Sequence, residues 1–155
     1  MFVYRQNVAA FIVNKNNEIF LQKRAYSKDD HWQMPQGGVD EGEEPEEGVK
    51  REVQEETGIH NLEIIGLHPD HHTYEFPKKW HKLNNGYKGQ QQNIFYLKYT
   101  GDNSDIKLDK REASDYSWVY IDDVIDMIYE KRKDMAQMAI DGYKEITNSN
   151  NDEIK

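Results

Sequence analysis

Three glutamates, Glu52, Glu55 and Glu56, stand three and four residues apart in the segment REVQEET. Pro45 suits the first turn of a helix, where its missing N–H would have no partner anyway. Gly58 suits the left-handed residue that ends one. The stretch is therefore expected to be a helix over residues 44–57, with the three carboxylates on one face. Val49 and Val53, four apart, mark another face that can pack on a core. Like charges at this spacing repel by about a few tenths of a kcal/mol per pair in water, and by more in a cleft. An all-oxygen donor set suits a hard divalent cation, Mg²⁺ or Mn²⁺, rather than zinc. Taken alone, the triplet fits a solvated acidic helix face equally well.

The wider pattern separates the two readings. Gly37 is followed after five residues by Glu43, then after seven by Arg51-Glu52, then Val53, Glu55-Glu56, Gly58 and Ile59. These 23 residues resemble the Nudix box, with all nine of its fixed positions filled. The resemblance implies an α/β fold, a Nudix-like α/β/α sandwich with a mixed central sheet. It also implies a metal-dependent hydrolase of a diphosphate linkage joined to another group, very often a nucleoside. On this pattern Glu52, Glu55 and Glu56 hold the metal, Glu55 takes the proton from water, and Arg51 orients the acidic cluster. A nucleotide-sensing module on the same fold is the competing class, and the complete box favours an enzyme.

Further segments resemble the bacterial RNA 5′-pyrophosphohydrolases and the related dinucleoside polyphosphate hydrolases. They are Tyr4-Arg5 with Asn7-Val8, Arg24, Trp32-Gln33 before Pro35-Gln36-Gly37-Gly38, Gly89-Gln90 with Gln92, and Glu112 six residues before Trp118. The resemblance makes Glu112 a further metal ligand. It makes Arg5, Arg24, Gln33, Gly37, Gly38 and Gln90 substrate contacts. Guanidinium groups fork well onto phosphate oxygens, and paired glycines permit a tight backbone. Tyr74, Trp80 and Tyr87 can stack a base or pack on the sheet. The nearest counterparts of the subgroup's C-terminal aromatic and basic residues are Tyr129, Lys131 and Arg132. The expected substrate is 5′-phosphorylated RNA or another nucleotide, with dinucleoside polyphosphates and nucleoside triphosphates as alternatives.

The bulk properties agree. At 155 residues and 36% hydrophobic content the chain can build one ordinary core. No apolar run is long enough to span a bilayer, and the N-terminus lacks the features of a signal peptide, so a cytoplasmic protein with no membrane partner is expected. With no cysteine there is no disulfide, thiolate zinc site or cysteine nucleophile. His68, His71 and His72 lack the spacing of a zinc motif. The net charge is −9, but nine of the 29 acidic residues fall between Asp40 and Glu56, where bound cations reverse the local field. No basic patch extensive enough for duplex DNA is present. Nothing in the sequence indicates an oligomeric state.

The elements that must position these residues follow from local pattern. Residues 7–13 and 18–23 read as a hairpin around the Asn-rich turn 14–17. Residues 25–31 read as a polar loop, and 62–67 and 73–76 as two short strands. Residues 77–90 read as a basic loop carrying Lys78, Lys79, Lys82 and Lys88. Strands are expected at 93–99 and 116–121, separated by an irregular stretch. Asp122 or Asp123 is expected to cap a helix from Val124, with a break near residues 131–134. One domain over residues 1–146 and a disordered tail over 147–155 complete the reading.

Overall fold

A computed structural model describes residues 3–82 and 85–154, the side chains of 149–154 excepted. Its centre is β1, Tyr4–Val13. The apolar run NVAAFIV has no polar alternation because both faces of this strand are covered. Val8, Ala10 and Ile12 point to one side of the sheet, and Ala9, Phe11 and Val13 to the other. β1 pairs antiparallel with β2, Glu18–Arg24. The turn between them is closed by Asn14, whose Oδ1 accepts from the backbone N–H of Asn16 and of Glu18, each at 3.0 Å. On its other side β1 runs parallel to β6, Gly89–Tyr99, which makes the sheet mixed. β2 also pairs with β3, Trp32–Gln33, and with β7, Ala113–Tyr120. The short β4, Gln36–Gly38, lies antiparallel on β1.

Helix α1, Pro45–Thr57, packs Val49 and Val53 against Val8, Ile12 and Phe95. Pro45 stands in its first turn, and Gly58, at φ 78°, ends it with a backbone bond to the Gln54 carbonyl. Helix α3, Lys133–Ile154, covers the opposite face with Met135, Ala139 and Ile140 against Phe11 and Tyr96. The result is the expected α/β/α sandwich.

Several details depart from the sequence reading. The two short strands expected before the basic loop are one strand, β5, Leu62–Glu75. Its register slips between Ile64 and Gly66 and again between Leu67 and His71, and those bulges hide the period of two. β5 is the outer strand of the sheet, and Pro69 with the bulges roughens an edge that would otherwise invite pairing. Helix α2, Val124–Met127, is a single turn. Asp123 occupies its cap position without making a side-chain cap bond. The chain is extended at Ile128 before a 3₁₀ turn over Glu130–Arg132, so the break comes slightly earlier than expected. α3 continues to Ile154 through most of the stretch read as a tail, and Lys155 lies outside the described residues. In the basic loop Leu83 and Asn84 also lie outside them.

Helix α3 comes close to the sheet at Gly142. A Cβ there would stand 2.5 Å from both the Tyr96 hydroxyl oxygen and His68 Cδ2. The Tyr96 hydroxyl itself donates to the Ala139 carbonyl at 2.7 Å. Gly142→Ala should therefore destabilise by about 1–3 kcal/mol through overpacking, and Tyr96→Phe by about 1 kcal/mol through the lost bond. Urea unfolding of the two variants and their combination checks this. In the Tyr96→Phe background the alanine should cost less than alone, because one of its two obstructions is gone.

Candidate active site

Arg51 gathers the acidic residues of α1 and of the loop before it. Its Nε donates to Glu43 Oε2 at 2.7 Å and its Nη2 to Glu43 Oε1 at 3.0 Å and to the Gly38 carbonyl at 2.9 Å. Nη1 donates to Glu52 Oε1 at 3.0 Å and to Glu55 Oε2 at 3.1 Å. Asp40 adds an ion pair at 3.4 Å. A forked, permanently charged group is what five such acceptors require. The Arg51 guanidinium holds Glu43 down to about 2, and Glu43 in turn pushes Arg51 upward. Two glycines let β4 approach this cluster. A Cβ at Gly37 would overlap the Glu52 carboxylate, and one at Gly38 would lie 2.7 Å from Arg5 Nη2.

Glu56 turns inward, and the residue is only 6% exposed. Gln22 on β2 donates to its Oε1 at 3.4 Å, and Oε2 has no hydrogen-bond partner. Burial, reinforced by the charges of Glu52 and Glu112, raises its pKa to about 8, against the opposing pull of Gln22 and of the Gln36 backbone N–H. Burial also raises Glu52, despite Arg51. The donors are all oxygens, and the orphaned Glu56 oxygen is where a hard cation would replace a proton, so the set fits a divalent ion. As they lie, no three His, Asp or Glu side chains among the described residues are close enough to share one. Arg51 Nη1 draws both Glu52 and Glu55 to itself.

A cavity of about 660 Å³ opens on the α3 side of the sheet, and none of the acidic cluster is among its lining residues. Arg24, His31, His72, Gln92, Tyr129 and Arg132 are among its lining residues. His31 stacks on Tyr129, with ring centroids 3.9 Å apart. The backbone N–H of Tyr129 reaches the Trp32 carbonyl at 2.9 Å, which pins the segment after α2 against β3. Burial lowers the pKa of both His31 and His72. Gln92, 1% exposed, donates Nε2 to Asn7 Oδ1 at 2.9 Å and to Gln36 Oε1 at 2.7 Å. Gln36 thus bears on both places: its backbone N–H draws the Glu56 pKa down, and its side chain accepts from Gln92 of the cavity lining.

The structure brings most of the sequence-predicted residues here. Glu112 is exposed, but its charge is felt at Glu56. Arg5 lies across Gly38 and is in register with Gln90, whose Oε1 accepts from Tyr74 at 2.8 Å. Arg24 and Tyr74 line the cavity. Gln33 is 7% exposed, and its oxygen accepts from His31 Nε2 at 3.0 Å, so it sits beneath the cavity wall rather than on it. The three histidines are dispersed, His68 against Gly142 and His72 in the cavity. Gln22 and His31 were missed by sequence reasoning, and Gln92 has no role there beyond its place in the resemblance. The available signal for Gln22 was a glutamine inside the apolar strand EIFLQK.

A family model described as NUDIX domain matches residues 3–140. The chain is 38% identical over 153 residues to Nudix hydrolase 26, chloroplastic, of Arabidopsis thaliana, covering 92% of this chain and 67% of that protein. It is 33% identical over 148 residues to the RNA pyrophosphohydrolase of Pelagibacter ubique, covering 93% of this chain and 94% of that one. Among solved structures, the MutT protein from Methanosarcina mazei matches with a TM-score of 0.66 and 26% identity over 95% of both chains. The Ap4A hydrolase of C. elegans, at 24% identity and a TM-score of 0.63 over 86% of this chain and 93% of its own, shares the fold.

The raised pKa of Glu56 makes a stability prediction. Its contribution is present in full below the ordinary carboxylate range and is lost as pH rises through about 8, because the unfolded chain releases the proton first. Metal-free protein should therefore melt at lower temperature as pH rises from about 5 to 8, and Glu56→Gln should flatten that fall. Calorimetric melts in chelator check it, and an equally steep fall in the variant would exclude Glu56 as the cause.

Proposed function

Because the chain belongs to the Nudix hydrolase family, in its RNA pyrophosphohydrolase subgroup, and is an enzyme acting on phosphoric anhydrides, we propose that it removes pyrophosphate from the 5′ end of triphosphorylated RNA. The link made by Gln36 carries the reading. A polyphosphate seated at Glu56 has its nucleoside beside a cavity that holds the cations of Arg24, Lys131 and Arg132 and the rings of Tyr74 and Tyr129.

Divalent metal use is general to Nudix hydrolases. Here Glu52, Glu55, Glu56 and Glu112 would hold Mg²⁺, with Mn²⁺ as a substitute. When bound, it neutralises phosphate charge and acidifies a water molecule. Glu55, the more exposed of the two carboxylates that share Arg51 Nη1, would take the proton from the attacking water. Arg51 holds Glu52 and Glu55 in place and does not touch substrate. Gly37 and Gly38 keep the β4 backbone close to the phosphates. Arg5 and Arg24 fork onto phosphate oxygens, with Gln90 beside Arg5. Gln33 acts from beneath by fixing His31. Lys78, Lys79, Lys82 and Lys88 lie on the loop next to the start of β1 and extend the positive path. The enzyme works as a single domain in the cytoplasm, without a membrane partner. Among the described residues no helix is long and apolar enough to cross a membrane.

The test is kcat/KM with Mg²⁺ for a triphosphorylated RNA dinucleotide and a longer RNA against diadenosine tetraphosphate and nucleoside triphosphates. RNA should be preferred, and its affinity should fall with salt at a slope of about −0.7 per phosphate contact. A preference for the dinucleoside polyphosphate would overturn the substrate, and no turnover of any substrate would leave a sensing module. Glu56→Gln should lower turnover by about 100-fold or more while the protein stays folded. Tyr129→Ala should raise KM through a lost stacking surface worth about 1–3 kcal/mol.

A further inference from the structure

The loop that carries Glu112 is docked on the C-terminal end of α1. The backbone N–H of Lys107 donates to the Thr57 carbonyl at 2.7 Å, and that of Asp109 to the Glu56 carbonyl at 2.9 Å. These carbonyls belong to the last turn of a helix and have no partner within it. Gly58 lets the loop come this close, since a Cβ there would stand 2.7 Å from the Asp105 carbonyl oxygen. From Asp109 the chain turns sharply. Asp109 Oδ1 accepts from the Arg111 backbone N–H at 3.0 Å and from Arg111 Nε at 3.1 Å, and Oδ2 accepts from Nη2 at 3.1 Å. The Asp109 carbonyl accepts from the backbone N–H of Glu112 and of Ala113, each at 2.9 Å. The Glu112 carbonyl then accepts from Ala25 at 2.9 Å, next to Arg24 of the cavity wall.

We propose that Asp109 is the positioning residue that sets Glu112 against Glu56, by folding residues 109–113 into a side-chain-closed turn whose first N–H is anchored on the Glu56 carbonyl. The proposal rests on Glu112 being a metal ligand. A short aspartate closes such a turn because its carboxylate reaches the N–H two residues on. Without it, one exposed glutamate would have to be held in place by backbone bonds alone. Arg111, 88% exposed on its side chain, is occupied by Asp109 on this account and is not a phosphate contact.

The experiment is Mn²⁺ binding to substrate-free protein, by calorimetry, for Asp109→Ala, Asp109→Asn, Glu112→Gln and the double variant Asp109→Ala/Glu112→Gln. Asp109→Ala should weaken Mn²⁺ binding by about tenfold, as loss of a ligand-orienting partner does. Asparagine keeps an oxygen for the Arg111 N–H and should stay within about twofold of the parent by the same argument. In the double variant the Asp109 change should add nothing to the loss from Glu112→Gln, because it acts only through that residue. Unchanged affinity in Asp109→Ala, multiplying losses in the double variant, or an asparagine variant as weak as the alanine one would each overturn the proposal. Normal Mn²⁺ binding by Glu112→Gln would instead remove Glu112 from the ligand set, and the proposal with it. Should the alanine variant fail to fold, Asp109→Glu, whose carboxylate lies one methylene too far out to close the turn, takes its place alone and in the double with Glu112→Gln, with the same outcomes expected.

Discussion

A carboxylate enclosed between a helix and a sheet is unfavourable unless a proton, a donor or a cation offsets its charge, and Glu56 is enclosed in this way. The surrounding structure supplies only part of that compensation. Gln22 reaches one oxygen at the limit of a hydrogen bond, the Gln36 backbone N–H draws the pKa down, and the other oxygen has no hydrogen-bond partner. Glu52 and Glu112 add negative charge rather than relieve it. The metal-free fold resolves this by keeping the proton on Glu56, and the same arrangement gives a divalent cation a site where it is worth more than in water.

The rest of the site keeps that tension from spreading. Arg51 donates to Glu43, Glu52 and Glu55 together and ties them to the Gly38 carbonyl. The acidic loop, the helix and β4 are therefore tied to one another through a single side chain. Gly37 and Gly38 are required because the Glu52 carboxylate and the Arg5 guanidinium occupy the space of their missing side chains. Gln36 then passes the geometry across β4 to Gln92 and the cavity. Three consecutive residues of β4 thus meet Gln92, Glu52 and Arg5 in turn.

What could be read from the sequence was what short-range chemistry determines. Pro45, Gly58 and the Val49–Val53 pair delimit α1, and Asn14 closes the first hairpin, each by an interaction a few residues long. β3 and β4 are too short to show any alternation, and the bulges around Gly66 and Pro69 make one strand look like two. The roles of Gln22 and Gln92 depend on which residues the sheet register sets beside them, which no local pattern reveals. Tyr129 and Arg132 reach the cavity because the chain is extended at Ile128 and turns back over Trp32. Gln33 shows the converse. Its type and place suggested a substrate contact, but the pairing of β2 with β3 buries it under His31.

The central claim is that Glu56 is the point at which charge inside the fold and metal binding are coupled. The most direct measurement is the thermal midpoint as a function of Mg²⁺ concentration without substrate. A ligand bound only by the native state adds about 2.7 kcal/mol at 100 times its dissociation constant. The parent protein should therefore show a midpoint that climbs with the logarithm of Mg²⁺ concentration, and Glu56→Gln should show almost no climb over the same range. An equal climb in the two proteins would contradict the account, because the ion would then be held without the buried carboxylate.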